Sequence, residues 1–240
     1  IAIGPILFVI AILAVLVGAI SSGSGGFGST SKERATLLAG QIIAQFEQMR
    51  LATMKVSQNG CLDSQISFEN FSDTSYVNAS APGSGVCNVF GVFGGTALYK
   101  PPPRETIDWQ TTAGSYVAWR GRYAFQNIRH SGKPTVATYV GKVDWCPPPS
   151  EPCGDFLAHL PYVTKTVCMA INDLANVDNP SGSPPLTNYG ISINRWNGTN
   201  TNGTQWTIVS TENRPILTAC IEGNGANAGT YHAFSVLLIR

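Results

Sequence analysis

The first twenty residues of the chain, IAIGPILFVIAILAVLVGAI, contain no charged and no strongly polar side chain, and the first charge is Lys32. An α-helix of this length spans about 30 Å, the thickness of the hydrocarbon core of a bilayer. Where no water reaches the backbone, a helix satisfies every peptide group internally. We therefore expect a helix over residues 1–20 that lies in a membrane or in the apolar centre of an assembly, with Pro5 tolerated in its first turn.

The setting of this apolar segment indicates how it is processed. No initiator Met and no basic segment stand before it, whereas an ordinary signal peptide has both and is removed after its apolar region. We expect a peptidase that cuts before the apolar segment and leaves it on the mature protein. The alternative is an ordinary signal anchor on a periplasmic protein, with the residues before the anchor left out of the numbering.

Residues 21–29, SSGSGGFGS, separate the apolar segment from the next element. Glycine costs about 1 kcal/mol per helical position relative to alanine, and several glycines together prevent or melt a helix. We predict an extended or unwound linker without regular α-helix over residues 21–29, carried by Gly23, Gly25 and Gly26. Such a linker lets an assembly stretch and lets the next domain tilt; a simple flexible tether is the alternative.

A second helix is predicted over residues 30–57. Thr30 and Glu33 form a capping-box pattern at its start, and Asn59-Gly60 ends it. Apolar positions recur at three- and four-residue steps, which indicates one helical stripe. The stripe consists of Ala35, Leu38, Ile42, Phe46, Met49 and Thr53, widened by Leu37, Ile43 and Met54, and the opposite face carries Lys32, Gln41, Glu47, Gln48 and Lys55. The stripe is broader than a strict coiled-coil seam, although a coiled-coil partner stays an alternative.

The apolar start, the amphipathic helix and the cysteine-containing remainder together resemble a type IV pilin or pseudopilin, and the resemblance covers residues 1–57. Two positions depart from that family: the usual first residue is Phe and here is Ile1, and the usual fifth residue is Glu and here is Pro5. In the family that Glu is thought to neutralise the N-terminal amine of a neighbouring subunit during assembly, so this chain must dock without it. Archaeal pilins and some minor pseudopilins also lack the Glu.

The resemblance implies a structural subunit, of the major-pilin kind, of an extracellular helical filament. The apolar segment would form the filament core through Ile1, Pro5, Phe8, Ile12 and Leu16. The second helix would pack its stripe on the sheet of the head. The implied partners are further copies of the chain, the inner membrane before assembly and the pilus assembly machinery. Adhesion, motility, DNA uptake and secretion all use such subunits, so the role of the filament stays open.

Residues 58–240, called the head, read as short strands and long loops, which predicts an α+β protein with a β-rich head. Alternating patterns predict five strands, at residues 116–120, 135–140, 207–210, 216–220 and 233–239. The range 163–175 is the one further helix candidate. Prolines at 101–103 and 147–149 break the chain into extended loops.

All six cysteines lie in the head, and their even number predicts three disulfides formed outside the cytoplasm. Six cysteines allow fifteen connectivities. Neighbour pairing is the simplest choice for a head of sequential hairpins and loops, and it gives Cys61–Cys87, Cys146–Cys153 and Cys168–Cys220. The last pair is similar to the C-terminal disulfide loop of type IV pilins. No C-x-x-C pair is present, as a zinc site or a c-type haem would require.

The other chemistry-bearing residues form no recognisable site. His130, His159 and His232 stand far apart in the sequence, and no G-x-S-x-G motif occurs, so we expect no enzyme, no catalytic or metal-ligating residue and no cofactor. The net charge is +1 and only 12% of the residues are charged, which gives no basic stripe for nucleic acid. Four N-x-[ST] sequons are candidate glycosylation sites: Asn70, Asn78, Asn197 and Asn202.

Two other functions stay open from the sequence. The main alternative is a membrane-anchored periplasmic or extracellular binding module with a retained signal anchor, and an anchored enzyme is the other. Trp196 and Trp206 flank a polar loop, where they would either pack in the core or form an adhesive surface patch; core packing is favoured.

Overall fold

A 32-residue helix, α1 (Phe27–Gln58), begins the part of the chain that the structure describes. The structure is a computed structural model and describes residues 27–114, 116–129, 138–139, 154–187, 195–198, 207–208 and 216–238. Residues 1–34 and 35–240 are two compact units, and the second is called the folded unit below. Its other elements are β1 (Ala124–Arg129), β2 (Thr138–Tyr139), β3 (Gly154–Val163), α2 (Lys165–Ala175), β4 (Thr207–Ile208), β5 (Thr218–Glu222) and β6 (Tyr231–Leu238). The chain is thus an α+β protein, as predicted.

The inner face of α1 is the predicted apolar stripe. All six predicted positions are buried: Ala35, Leu38, Ile42, Phe46, Met49 and Thr53. The one polar member, Thr53, donates a hydrogen bond from its hydroxyl to the Met49 carbonyl at 2.8 Å. Its hydroxyl is therefore satisfied although it is buried. The widening of the stripe is wrong at Leu37 and Met54, which are exposed, while Ile43 is half-buried against the core.

The ends of α1 differ in how well the sequence predicted them. The C-terminal end is as expected, because α1 stops at Gln58 and Gly60 adopts a positive φ of 88°. The N-terminal end is earlier than expected, since the helix already runs through residues 27–29 of the predicted linker. The capping box at Thr30 is therefore wrong: Thr30 lies inside the helix, where extending an existing helix is cheaper than starting one. Gly23, Gly25 and Gly26 lie outside the described residues, as does the apolar segment 1–20.

The main sheet has four antiparallel strands in the order β1-β3-β6-β5. The central pair is β3 and β6, which run from Phe156 opposite Leu238 to Val163 opposite Tyr231, with irregular register at two places. Strands β2 and β4 form a separate antiparallel pair. Strands β5 and β6 follow each other in the chain, whereas the other neighbouring strands of this sheet are distant in sequence.

Both faces of this sheet are covered. One face joins α1 in the larger core cluster, to which alternate residues such as Phe156, Ala158 and Leu160 belong. The other face belongs to a smaller cluster that includes Leu157 and Phe234. The strands are therefore buried on both sides, and their sequences do not alternate between apolar and polar residues.

Two of the predicted strands are confirmed, one is wrong, and two are only partly described. The strands near 216–220 and 233–239 correspond to β5 and β6. Residues 116–120 are not a strand: Val117–Trp119 form a 3-10 turn between Gly114 and Gly121, which both have positive φ. The ranges 135–140 and 207–210 are described only at β2 and β4, which do pair as strands. Strands β1 and β3 were not predicted.

The second helix candidate is confirmed as α2. Thr164 caps its N-terminus, where the hydroxyl accepts from the Val167 N–H at 3.4 Å, and Asn176 closes it in the left-handed conformation. Val167, Cys168 and Ile171 face the larger core cluster. The helix thereby covers the β5 edge of the sheet.

Two of the three predicted disulfides are confirmed. Cys61–Cys87 ties the loop after α1 to itself, and Cys168–Cys220 ties α2 to β5, with Cα–Cα distances of 5.8 and 5.2 Å. Cys146–Cys153 lies outside the described residues. Each closed loop contributes roughly 2–4 kcal/mol in the chain-entropy model.

The short described segment 195–198 is fixed to the head by an aromatic residue. Trp196 is buried, as favoured from the sequence; its indole N–H donates to the Ile66 carbonyl at 2.8 Å and its backbone N–H to the Phe125 carbonyl at 2.9 Å. The guanidinium of Arg195 lies 5.4 Å from the Tyr76 ring centroid. Trp206 lies outside the described residues.

Candidate functional site

The solvent side of α1 combines exposed leucines with uncharged polar side chains and carries few charges. Leu37 and Leu51 are 64% and 62% exposed, four turns of helix apart, and small residues lie between them at Gly40 and Ala44. We call this surface the outward face; it comprises Thr36, Leu37, Gly40, Gln41, Ala44, Gln48, Leu51 and Met54. Exposed leucines on a helix that already buries its opposite stripe indicate a second packing surface.

The charges beside the outward face neutralise each other. Between residues 36 and 54 the charged side chains are Glu47 and Arg50. Arg50 donates to the Glu47 carboxylate from Nη2 at 2.6 Å and from Nε at 3.0 Å. An exposed pair of this kind adds little stability, but it leaves no unpaired charge to desolvate if another surface covers the helix.

The loop after α1 concentrates exposed apolar side chains. Of the fifteen exposed large apolar residues among the described residues, seven lie between Leu62 and Leu98. No lysine or arginine occurs from 61 to 99. The three most exposed members are Val92, Phe71 and Phe93, at 78%, 76% and 75%. Val92 and Phe93 are adjacent in the chain, and we call these two residues the knob.

Backbone hydrogen bonds hold the knob away from its own chain. Gly94 N–H donates to the Gly91 carbonyl at 3.1 Å, Gly95 N–H to the Asn88 carbonyl at 2.9 Å, and Thr96 N–H to the Gly91 carbonyl at 3.1 Å. A turn fixed in this way does not fold its apolar tip inwards. Val92 and Phe93 are therefore presented to solvent by an ordered backbone.

Two glycines make this turn sterically possible. A Cβ at Gly94 would lie 2.9 Å from the Val86 carbonyl oxygen, and one at Gly95 would lie 2.8 Å from Ala52 Cβ on α1. Both distances are shorter than a carbon atom tolerates. Gly94 lets the turn close on its own loop, and Gly95 lets the loop approach α1 closely enough to present the knob beside it.

Gly95→Ala is expected to destabilise the folded unit by about 1–3 kcal/mol, because the added methyl group overpacks the contact between the loop and Ala52. Urea denaturation followed by tryptophan fluorescence measures it. Gly83→Ala is the matched control, since a Cβ there meets nothing within 4 Å. Equal stability of the two variants would contradict the close approach at Gly95.

The loop lies along one side of the C-terminal half of α1. Gln45 donates its side-chain amide to the Leu98 carbonyl at 3.0 Å, and Lys55 Nζ reaches Thr96 Oγ1 at 3.5 Å. The Cys61–Cys87 disulfide fixes the same loop at its start. The knob and the outward face are therefore two separate surfaces held on one rigid scaffold.

A polar chain crosses the sheet interior between β3 and β6. His159 Nε2 lies 3.1 Å from His232 Nδ1, and His232 Nε2 lies 2.7 Å from Thr230 Oγ1. The Thr230 hydroxyl donates to the Asn227 carbonyl at 2.6 Å, so its oxygen accepts from His232. His232 Nδ1 then accepts from His159. This order keeps both rings neutral.

Burial agrees with that assignment. It lowers the pKa of His232 to about 3, and burial together with the neighbouring His232 lowers the pKa of His159 well below its ordinary value. Both rings are fully buried, so no substrate reaches them, and we interpret them as structural. Strand pairing brings His159 and His232 together across 73 residues of sequence, which their spacing in the sequence did not indicate.

The other predicted site residues are distributed as follows. Ile1, Pro5, Phe8, Ile12 and Leu16 lie outside the described residues, so the filament-core assignment stays a prediction. In the described ranges no helix is both long and apolar enough to cross a bilayer. The same ranges contain no cluster of three or more side chains suited to a metal ion.

The sequons differ in accessibility. Asn78 is buried and donates its amide to the Ser64 and Ile66 carbonyls at 2.7 and 2.8 Å, and buried Asn70 donates to Phe68 at 3.1 Å. A glycan on either nitrogen would displace these bonds from the folded head. Asn197 is exposed, and Asn202 lies outside the described residues.

The comparisons with known proteins give no relative to reason from. No protein-family model, no curated protein and no solved structure matches this chain. Function must therefore be argued from the residues and the geometry described above.

Proposed function

We propose that this chain is a structural subunit, of the major-pilin kind, of an extracellular type IV pilus-like helical filament. It polymerises through its apolar segment, residues 1–20, and displays its disulfide-containing head on the filament surface. It enters the filament from the inner membrane with the help of an assembly machinery.

The observation that carries this proposal is that α1 has one face buried against its own head and an opposite face that is exposed. One face of the helix is committed to the sheet of its own head, with Ile42, Phe46 and Met49 fully buried. The outward face is left exposed, and Leu37 and Leu51 are among its side chains. A helix that is held by its own domain on one side and offers leucines on the other is suited to contact with a neighbouring copy in a regular array of identical subunits.

The apolar segment supplies the driving force. Fully burying a leucine or isoleucine side chain stabilises by about 1.5–3 kcal/mol, so a 20-residue apolar helix is stable only in lipid or under a cover of other apolar surface. Outside the cell, identical segments of other copies provide that cover. Because the helix bonds its backbone internally, it tolerates both environments without rearrangement.

The disulfides support the location. Cys61–Cys87 and Cys168–Cys220 form in oxidising compartments and persist outside the cell. They stabilise a head with long loops and few charges without requiring a partner or a cofactor.

Leu13→Asp is expected to abolish filaments, because a charge at the centre of an apolar helix costs about 2.5–3.5 kcal/mol per copy even in a bilayer and is repeated in every subunit of a polymer. Electron microscopy and the sheared surface fraction measure filament yield in cells that express the full chain. Leu62→Asp, at a head position that is 65% exposed, is the matched control and should leave filaments intact. Normal filaments from Leu13→Asp, or none from the wild-type chain, would reject the proposal.

A further inference from the structure

A helical polymer needs a heterologous contact, in which one surface of a subunit binds a different surface of the next copy. The folded unit carries two such surfaces. We propose that the knob, Val92 and Phe93, of one copy docks on the outward face of α1 in a second copy, over Gly40 and Ala44. This inference rests on the filament function proposed above and names the contact that sets the register of the heads.

In the part of the chain that the structure describes, no residue covers the knob. Both of its side chains are at least three-quarters exposed, although the turn behind them is fixed by backbone hydrogen bonds and by the contact of Gly95 with Ala52. The apolar surface that this valine and phenylalanine expose to water does not stabilise the monomer. Docking of the knob on another copy removes that surface from water.

The outward face has the matching shape. Gly40 and Ala44 are one turn apart, and their lack of side-chain bulk implies a shallow depression between Leu37 and Leu51. Gly40 costs α1 about 1 kcal/mol relative to alanine, yet a Cβ there meets nothing within 4 Å. Since no described residue of the monomer requires a glycine at this position, we attribute it to the close approach of another chain.

Charge also fits this pairing. The segment from Gly85 to Ala97 contains no charged residue. The only charges between residues 36 and 54 are the mutually paired Glu47 and Arg50. Covering one surface with the other therefore buries no unpaired charge. A buried unpaired charge would oppose the contact.

The small size of the knob favours a polymer contact over a dimer in solution. A stable interface buries about 800 Å² on each partner, far more than two side chains supply. The knob contact is too small to hold two free heads together. In a filament, where the apolar segments supply the affinity, it is sufficient to select one relative position of neighbouring heads.

The geometry gives an axial displacement. The knob turn contacts α1 at Ala52, whereas the proposed receiving site lies at Gly40 and Ala44, eight to twelve residues earlier. At 1.5 Å per residue, two parallel copies in this contact are displaced by about 12–18 Å along the helix axis.

Photocrosslinking on intact filaments tests the contact. The full chain carries Phe93→p-benzoylphenylalanine, and filaments are irradiated, reduced and separated by mass. A band at twice the chain mass is expected, in which position 93 is joined to the tryptic peptide 35–50, which contains Gly40 and Ala44. The same photoreactive residue at Leu174, exposed on α2, is the control and should not give that product.

The variant Gly40→Leu provides a second test of the contact. It fills the depression while favouring the helix, so the melting temperature should not fall, but the crosslink to peptide 35–50 should drop at least about tenfold. Gly40→Ala, a smaller change, should reduce it less. If the Phe93→p-benzoylphenylalanine chain forms normal filaments in which position 93 joins another part of the chain, another protein or nothing, this inference is overturned and the filament function stands. Absence of filaments from the wild-type chain would overturn both.

Discussion

Acidification from about pH 7 to about pH 4.5 is expected to lower the free energy of unfolding of the folded unit by about 3 kcal/mol through His232 alone. In the unfolded chain this imidazole binds a proton near its ordinary pKa of 6.5, whereas in the fold burial lowers its pKa to about 3. The unfolded state therefore holds more protons between those values. The stability contributed by the neutral ring is present above pH 6.5 and is lost as the pH falls towards 3.

His159 acts in the same direction. Its pKa is also lowered, first by burial and then by the neighbouring His232. Protonating His232 would place a hydrogen on Nδ1, which removes the acceptor for the His159 Nε2–H and puts two hydrogens between nitrogens that lie 3.1 Å apart. The two histidines therefore resist protonation together. For each of them, the free energy of unfolding falls by about 1.4 kcal/mol per pH unit over the range in which the ring is protonated in the unfolded chain but neutral in the fold.

The measurement is denaturant unfolding of the detergent-solubilised full chain at several pH values, followed by tryptophan fluorescence. Carboxylates also titrate in acid, so the informative quantity is the difference from His159→Gln combined with His232→Gln. This variant is expected to be less stable at neutral pH but to lose less stability on acidification. Parallel pH curves for the two proteins would show that the histidines do not carry the acid sensitivity.

The sequence predicted the inner stripe of α1 correctly because helical periodicity is a local property. Ile42, Phe46 and Met49 recur at helical spacing, and no tertiary information is needed to place them on one face. Leu37 and Met54 were assigned to the same stripe on apolarity alone. Their exposure shows that an apolar residue at the margin of a stripe does not reveal which neighbour it packs against.

The central strand β3 was missed for a different reason. Its sequence, GDFLAHLPYV, is covered on both faces and therefore lacks the alternation that identifies a half-exposed strand. Pro161 argues further against a strand, since proline cannot donate to a ladder. The fold accommodates it with a register shift between Pro161 and Val163, where Tyr162 takes a positive φ of 60°.

The candidate surfaces could not be predicted from the sequence because they depend on which side chains the fold leaves exposed. Val92 and Phe93 stand in a glycine-rich loop, where two apolar residues give no periodic signal. The His159–His232 contact joins residues from two strands far apart in the chain. Sequence predicts which segments form elements, whereas these features follow from which elements the fold places side by side.

Replacing Asn172 by leucine is expected to destabilise the folded unit by about 2–5 kcal/mol, because its amide takes the place of a neighbouring strand at the sheet edge. Asn172 is fully buried; its Nδ2 donates to the Cys220 carbonyl at 2.8 Å and its Oδ1 accepts from the Cys220 N–H at 2.7 Å. Edge strand β5 would otherwise leave both groups unsatisfied. Each costs about 1–3 kcal/mol when buried without a partner.

The Cys168–Cys220 disulfide makes this effect separable from general unfolding. It connects the same two elements, α2 and β5, and holds Cys220 near α2 even when the amide is lost. Asn172→Leu should therefore fold when oxidised, with a lower denaturation midpoint, and should become much less stable than the reduced wild-type chain when the disulfide is also reduced. Thr166→Ala, at an exposed position of α2, is the control and should shift stability by less than about 0.5 kcal/mol. A change below about 1 kcal/mol for Asn172→Leu would mean that water or backbone movement satisfies the edge instead, and that the amide does not act as the missing strand.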